Sequence, residues 1–319
     1  MLKTGVKIDE VRIDGDLKKM RCDLDHYRAI GMKATEIPVH GVDAIKYGRL
    51  DKRQVTRIKE ILKDFDFQYS VHCPNPLNLM DRGNPELHIS VFKASLEFAS
   101  EIDSKIVVYH PGRYVPEEAF PVNGKVNIAV DEKRRLLDFE VSTIQDISSE
   151  FPEITICMEN ARPYLFHSPY CYAERIDLLK EQLLRINRDN VKINLDFGHL
   201  YMASKFYGFD PVTAANDIKD LITHTHIHDN FGNAVYCHEK QQTHQIPFGK
   251  GDSHMPVGWG EIPIGEILST FIDTYQGMLM MELRSRYFAY IEESKRVLTE
   301  IFNKTYNKCR TAGYGARKQ

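Results

Sequence analysis

Thr223-His224-Thr225-His226-Ile227-His228-Asp229-Asn230 carries three imidazoles at alternate positions. Side chains on a strand alternate between its faces, so His224, His226 and His228 fall on one face of a short strand. A long polar connection follows, then Gly249-Lys250-Gly251-Asp252-Ser253-His254-Met255-Pro256-Val257-Gly258-Trp259-Gly260-Glu261-Ile262. Asp252 and His254, also two apart, can point the same way from a loop. Imidazoles and carboxylates gathered in this manner suit zinc or manganese. Taken alone, the same residues also fit a polar loop whose histidines cap strands, so other strand ends have to decide.

Outward from this stretch, short apolar strands alternate with longer amphipathic helices. The pattern predicts strands at 5–8, 34–39, 67–72, 105–110, 154–159, 191–196, 222–228 and 278–283. It predicts helices at 17–30, 51–65, 85–100, 131–149, 170–185, 210–221, 264–275 and 287–302. Several ends are marked: Gly31 as a helix stop, Asp51 and Asn84 as N-caps, Pro85 and Pro211 at first helical positions. Eight strand-then-helix units is the count of a closed α/β barrel, a (β/α)8 TIM barrel. An open doubly wound sheet would show a glycine-rich phosphate loop after its first strand, and none is present. The expectation is one barrel domain over residues 1–302 and a basic, glycine-containing tail over 303–319, at the surface or frayed. The two long connections, 112–130 and 229–261, follow strands four and seven and so lie on the face where barrel active sites sit.

The totals narrow the class. Hydrophobic residues are 42% and charged residues 27% of 319, as in ordinary globular domains. No run reaches the roughly 18 to 20 apolar residues needed to cross a bilayer, so no membrane partner is expected. The first ten residues lack the apolar core of a signal peptide, and a cytoplasmic location is the expectation. Six scattered cysteines with no CxxC pair read as free thiols in a reducing compartment. A net charge of −3 argues against broad attraction to nucleic acid.

Acidic and imidazole residues recur at the carboxyl ends of successive strands. His72 closes the third, His110 the fourth, Glu159 the fifth and Asp196 the sixth, with His199 in the following turn. His226 lies near the end of the seventh, Asp252 and His254 in its loop, and Glu282 on the eighth. Each has a plainer reading: Glu159 could pair with Arg162 or Arg113, Glu282 with Arg284, and Asp196 could cap a helix. Their joint placement on six consecutive strands makes them converge on one barrel mouth, where a cation resolves the crowding of donors.

In this order, Ser-Val-His72-Cys-Pro, His110-Pro-Gly, Glu159-Asn, Asp196-Phe-Gly-His199, His226-Ile-His-Asp-Asn, Gly-Asp252-Ser-His254 and Met-Glu282-Leu resemble the xylose isomerase-like TIM-barrel superfamily. That group holds sugar and sugar-phosphate isomerases and epimerases, and the endonuclease IV type of apurinic-site nuclease. The resemblance covers about residues 5–300. For the sugar enzymes it implies one divalent metal, Mn2+ or Zn2+, on Glu159, Asp196, His226 and Glu282, with His199 touching substrate. For the nucleases it implies three zinc ions on His72, His110, Glu159, Asp196, His199, His226, Asp252, His254 and Glu282. The phrases Glu159-Asn-Ala-Arg-Pro and Asp196-Phe-Gly-His-Leu depart from the nuclease pattern, as does His228-Asp229. It also carries the expectation of a homo-oligomer.

The reading that follows is a metal-dependent sugar or sugar-phosphate isomerase or epimerase. Glu159 and Glu282 would exchange the substrate proton and His199 would steady the enediolate oxygen. Arg113, Arg162 and Arg284, with Trp259, would contact the substrate. The alternatives are a zinc-dependent phosphodiester hydrolase and a dehydratase or lyase on a related polyol.

Overall fold

The computed structural model of the protein describes residues 3–121, 125–237 and 242–316. Its strands are β1 (Lys3–Lys7), β2 (Ala34–Pro38), β3 (Gln68–His72), β4 (Ile106–Tyr109), β5 (Thr155–Glu159), β6 (Val191–Asp196), β7 (Ile222–Ile227) and β8 (Met278–Met281). They close a barrel in the cyclic order β1, β8, β7, β6, β5, β4, β3, β2, and every neighbouring pair is parallel. Closure brings β1 tight against both neighbours: a Cβ on Gly5 would stand 2.8 Å from the Ala34 carbonyl and from the Met280 side chain.

Helices cover the outside because each carries an apolar stripe at helical spacing. In the helix Lys52–Leu62 the buried positions Val55, Ile58 and Leu62 face the strands while its lysines and arginines stay wet. The expected caps are in place: Asp51 accepts from the backbone N–H of Arg53 and Gln54, and Asn84 from Leu87; Asp210, not expected as a cap, accepts from Thr213. No described helix is long and apolar enough to cross a membrane. All six cysteines are free.

Several local readings change. His199, expected in a turn, lies instead in the helix Phe197–Tyr207, which starts directly after β6 with Asp196 as its N-cap. Residues 45–50 form a hairpin of Ile45–Lys46 and Arg49–Leu50 that the periodicity did not show. The helix expected at 170–185 is a short 3-10 turn, Tyr172–Glu174, followed by Ile176–Ile186. The last helix begins at Ile291 and runs to Ala316, through most of the expected tail; residues 317–319 of it lie outside the described residues, as do 122–124 and 238–241 of the two long connections.

Along its axis the barrel interior changes from apolar to charged. Ala34, Ile106, Cys157, Met278 and Met280 form a small buried cluster separate from the main core. Glu36 of β2, two residues on from Ala34, and Ser70, Asn194 and His224 of β3, β6 and β7 are also inside, all 0% exposed. The carboxyl ends then deliver the acidic and imidazole side chains, so the site stands on a filled floor.

Candidate metal centre

Each expected donor sits where its strand ends. His72, Glu159 and Asp196 are the last residues of β3, β5 and β6; His110 and Glu282 follow β4 and β8 directly. His226 is in β7, His199 in the first turn of Phe197–Tyr207, and Asp252 and His254 in the connection after β7. These side chains gather into overlapping groups whose donor atoms lie within 4.8 Å of one another: His72–His110–Glu159, Glu159–Asp196–His226–Glu282, and His199–His228–Asp252–His254. Glu159 belongs to two of them. All nine expected residues are brought together, and His228 joins them as a tenth.

The imidazoles are oriented for coordination. A carbonyl or carboxylate oxygen only accepts, so a ring nitrogen bonded to one carries the proton and its opposite nitrogen keeps a lone pair. His72 donates from Nδ1 to the Cys73 carbonyl at 2.7 Å, His199 from Nδ1 to the Asn160 carbonyl at 2.9 Å, and His254 from Nδ1 to the Glu282 carbonyl at 3.0 Å. His226 donates from Nε2 to Glu36 Oε1 at 2.8 Å. The opposite nitrogens face carboxylates: His226 Nδ1 lies 3.2 Å from Glu159 Oε2 and 3.1 Å from Glu282 Oε2. His199 Nε2 and His254 Nε2 lie 3.3 and 2.9 Å from Asp252 Oδ2. Buried His72 Nε2, His226 Nδ1 and Glu159 Oε1 make no hydrogen bond within the protein. Buried polar atoms are rarely left so, and these are the atoms a divalent cation would take. The residues present therefore fit such an ion.

Electrostatics point the same way. Burial alone would lift the Glu159 carboxyl, but His110 and His226 hold it well below the usual carboxylate range. Burial alone would depress His226, but Glu36, Glu159 and Glu282 push it well above an ordinary imidazole. His72 is instead driven down to about 3, by burial and then by Lys7 and His110. The mouth is a set of buried anions in search of positive charge.

Two supporting residues, Glu36 and Lys7, lie on strands whose ends had seemed empty, and a third, Asn194, on β6. Glu36 of β2 accepts from His226 with Oε1, and from His224 (2.9 Å) and Ser70 (2.8 Å) with Oε2. Glu36, His72 and His226 are also within reach of one another, but both Glu36 oxygens are already taken, so Glu36 orients His226 rather than binding an ion. Lys7 of β1 pairs with Glu10 at 2.8 Å and Glu282 at 3.0 Å. Asn194 donates to Glu159 Oε2 at 2.9 Å. In the sequence, Glu36 and Lys7 each read as a polar residue on one face of a short strand, and only closure of the barrel turns that face inward.

A cavity of about 270 Å3 opens above the donors, walled by Arg113, Arg162 and Arg284 along with Glu159, His199 and Glu282. The arginines are not equivalent. Arg113 is tied back to the Asn75 and Leu77 carbonyls and to Glu117, so it braces the wall. Arg162 reaches Asp252 at 3.3 Å and Tyr164 at 2.9 Å, and its Nε is buried without a hydrogen-bond partner, as is that of Arg284. Trp259 does not line this cavity: its indole donates to Glu293 at 3.0 Å and packs edge-on to Tyr287 and Tyr290.

The family model described as xylose isomerase-like TIM barrel matches residues 24–301. An uncharacterized protein of Methanocaldococcus jannaschii is 26% identical over 262 residues, 79% of this chain and 75% of that one. A probable endonuclease 4 of Metamycoplasma arthritidis is 27% identical over 164 residues, 50% of this chain and 53% of that one. The solved structure of a D-tagatose 3-epimerase-like protein superposes with a TM-score of 0.69 at 22% identity, over 96% of this chain and 99% of that one.

Proposed function

We propose that this chain, which belongs to the xylose isomerase-like TIM barrel family, is a divalent-metal-dependent isomerase or epimerase of a sugar or sugar phosphate. One observation carries the reading: Glu159 and Glu282 approach the same nitrogen of His226, at 3.2 and 3.1 Å, and both line one sugar-sized cavity. Held by Glu159, Asp196, His226 and Glu282, a Mn2+ or Zn2+ ion would polarise a substrate carbonyl and its neighbouring hydroxyl, acidifying the C–H between them. Glu159 and Glu282 come from strands three places apart and flank the substrate from two sides. One removes the proton and the other returns it, through an enediolate. Glu36 fixes the His226 tautomer, and Lys7 keeps Glu282 ionised and oriented. His199 would steady the enediolate oxygen, and Arg162, whose Nε is buried without a hydrogen-bond partner, would assist it. Arg162 and Arg284 would bind an anionic substituent, a phosphate or carboxylate. The likeness to a D-tagatose 3-epimerase-like protein supports a sugar as substrate.

Incubation of the metal-loaded protein with a panel of ketoses, aldoses and their phosphates in deuterated water tests this. Deuterium should appear on carbon of at least one; no exchange across the panel counts against the proposal.

A second reading rests on Glu159 being shared between two donor groups, an arrangement suited to a metal cluster that hydrolyses a phosphodiester. The partial likeness to a probable endonuclease 4 supports it. Metal-dependent cleavage of abasic-site DNA, without deuterium exchange on any sugar, would favour it over the first. Loss of water from a polyol in the same panel would instead indicate a dehydratase or lyase.

A further inference from the structure

One carboxylate that lines the cavity belongs to none of the donor groups: Glu10. It follows β1, and Asn75, which also lines the cavity, follows β3. Arg162 follows β5, four places from β1 in either direction around the barrel, so it enters from the opposite side of the mouth. We infer that Glu10, with Asn75, is a specificity-determining subsite that binds two neighbouring free hydroxyls of the substrate and turns away a phosphate. It fixes the direction in which a sugar lies across the mouth. The inference rests on the sugar reading above and narrows it.

Charge and hydrogen bonding decide what Glu10 can bind. Burial alone would lift its carboxyl, but Lys7 and then His40 hold it well below the usual carboxylate range, so it is an ionised acceptor. Its close ion pair is with Lys7, whose Nζ lies 2.8 Å from Oε2, and not with Arg284. That charge is therefore met without a cationic ligand. What Oε1 lacks is donors: its contacts with Asn75 Nδ2 at 3.5 Å and His40 Nε2 at 3.9 Å are long beside the ~2.9 Å of a good hydrogen bond. A free hydroxyl donates to such an oxygen and accepts from the Asn75 amide at once. A phosphate offers acceptors and like charge, which this end of the cavity repels.

The chain is shaped to present Glu10 there. Asp9 caps the short helix Glu10–Ile13, accepting from the Arg12 N–H at 2.7 Å, and accepts from the Ser285 N–H at 2.9 Å, which ties this turn to the segment after β8. Residue 41 is glycine, and a Cβ there would stand 2.8 Å from the Cβ of Glu10. The Asn75 carbonyl accepts from Arg113, the arginine that braces the wall. Lys7 also lies 3.0 Å from Glu282 Oε1, so the subsite is one side chain away from a proposed proton-transfer group.

Calorimetric titration of the metal-loaded full chain with ribitol, ribitol 5-phosphate and ribitol 1,5-bisphosphate tests this. The monophosphate can turn its phosphate toward Arg162 and leave free hydroxyls at Glu10; the bisphosphate cannot. The parent should bind the monophosphate at least about tenfold more tightly than the bisphosphate. In Glu10→Gln that ratio should collapse toward one, and ribitol itself should bind about tenfold more weakly. Asn75→Ala, which leaves Lys7 and Glu282 untouched, should weaken ribitol and the monophosphate alike. A ratio measured within one protein is insensitive to a general loss of folded material. Equal or tighter binding of the bisphosphate by the parent would overturn the inference, as would an unchanged ratio in Glu10→Gln or failure of all three compounds to bind. None of these measurements needs turnover. Absence of deuterium exchange across the sugar panel counts against the proposed reaction, while the binding ratio alone judges the subsite.

Discussion

Glu159 and Glu140 are buried alike, 1% and 0% exposed, yet their surroundings differ in kind. Glu140, on the helix Val130–Glu150, accepts from four neutral donors: Tyr109 (2.9 Å) and the Gly112 N–H (2.6 Å) at one oxygen, Tyr172 (2.7 Å) and Gln182 (3.0 Å) at the other. Burial still lifts its carboxyl above the ordinary range despite these hydrogen bonds. Glu159 meets imidazoles instead, sits below that range, and has an oxygen with no hydrogen bond. A satisfied buried carboxylate holds structure; an unsatisfied one among imidazoles is a site for an ion. Burial alone tells nothing about which role a glutamate plays.

The largest expected effect comes from Glu159→Gln. Turnover on any substrate found by deuterium exchange should fall by about 10²–10⁴-fold, while chemical denaturation of the metal-stripped protein shows little loss of stability. A large loss of stability with activity retained would make Glu159 another Glu140. Glu36→Gln comes next. Its amide would face an imidazole N–H that now finds an acceptor, and metal affinity by chelator competition should drop roughly 10–100-fold. Glu140→Gln should do the reverse of Glu159→Gln: about 1–3 kcal/mol lower stability in denaturant, with metal content unchanged. The smallest effect is in pH. Because the folded Glu140 carboxyl is raised, its stabilising contribution is complete below the unfolded value near ~4.3 and is lost as pH climbs through the folded value. The stability gap between parent and Glu140→Gln should therefore narrow from acidic toward neutral pH, and a gap that widens would put Glu140 in the class of Glu159.

Much of the mouth was legible because strand periodicity and chain order suffice to place residues at strand ends. His72, His110, Glu159, Asp196 and Glu282 each close a short apolar run, and nothing beyond the barrel count is needed to bring them together. Glu36 and Lys7 were not legible, since one polar residue in an alternating strand reads as a solvent face until closure turns that face inward. The helix Phe197–Tyr207 escaped because Phe-Gly-His-Leu-Tyr-Met-Ala is apolar almost all round and shows no stripe. Trp259 was misjudged for a different reason: a loop's side-chain directions depend on contacts distant in sequence, here Glu293 and Tyr290.

Anomalous diffraction from crystals grown with manganese or zinc would locate any ion by element. We expect a peak among Glu159, Asp196, His226 and Glu282, at coordination distance from all four. A difference map with no anomalous signal there, at metal concentrations that saturate a known manganese or zinc enzyme, would contradict the assignment of this mouth as a metal centre.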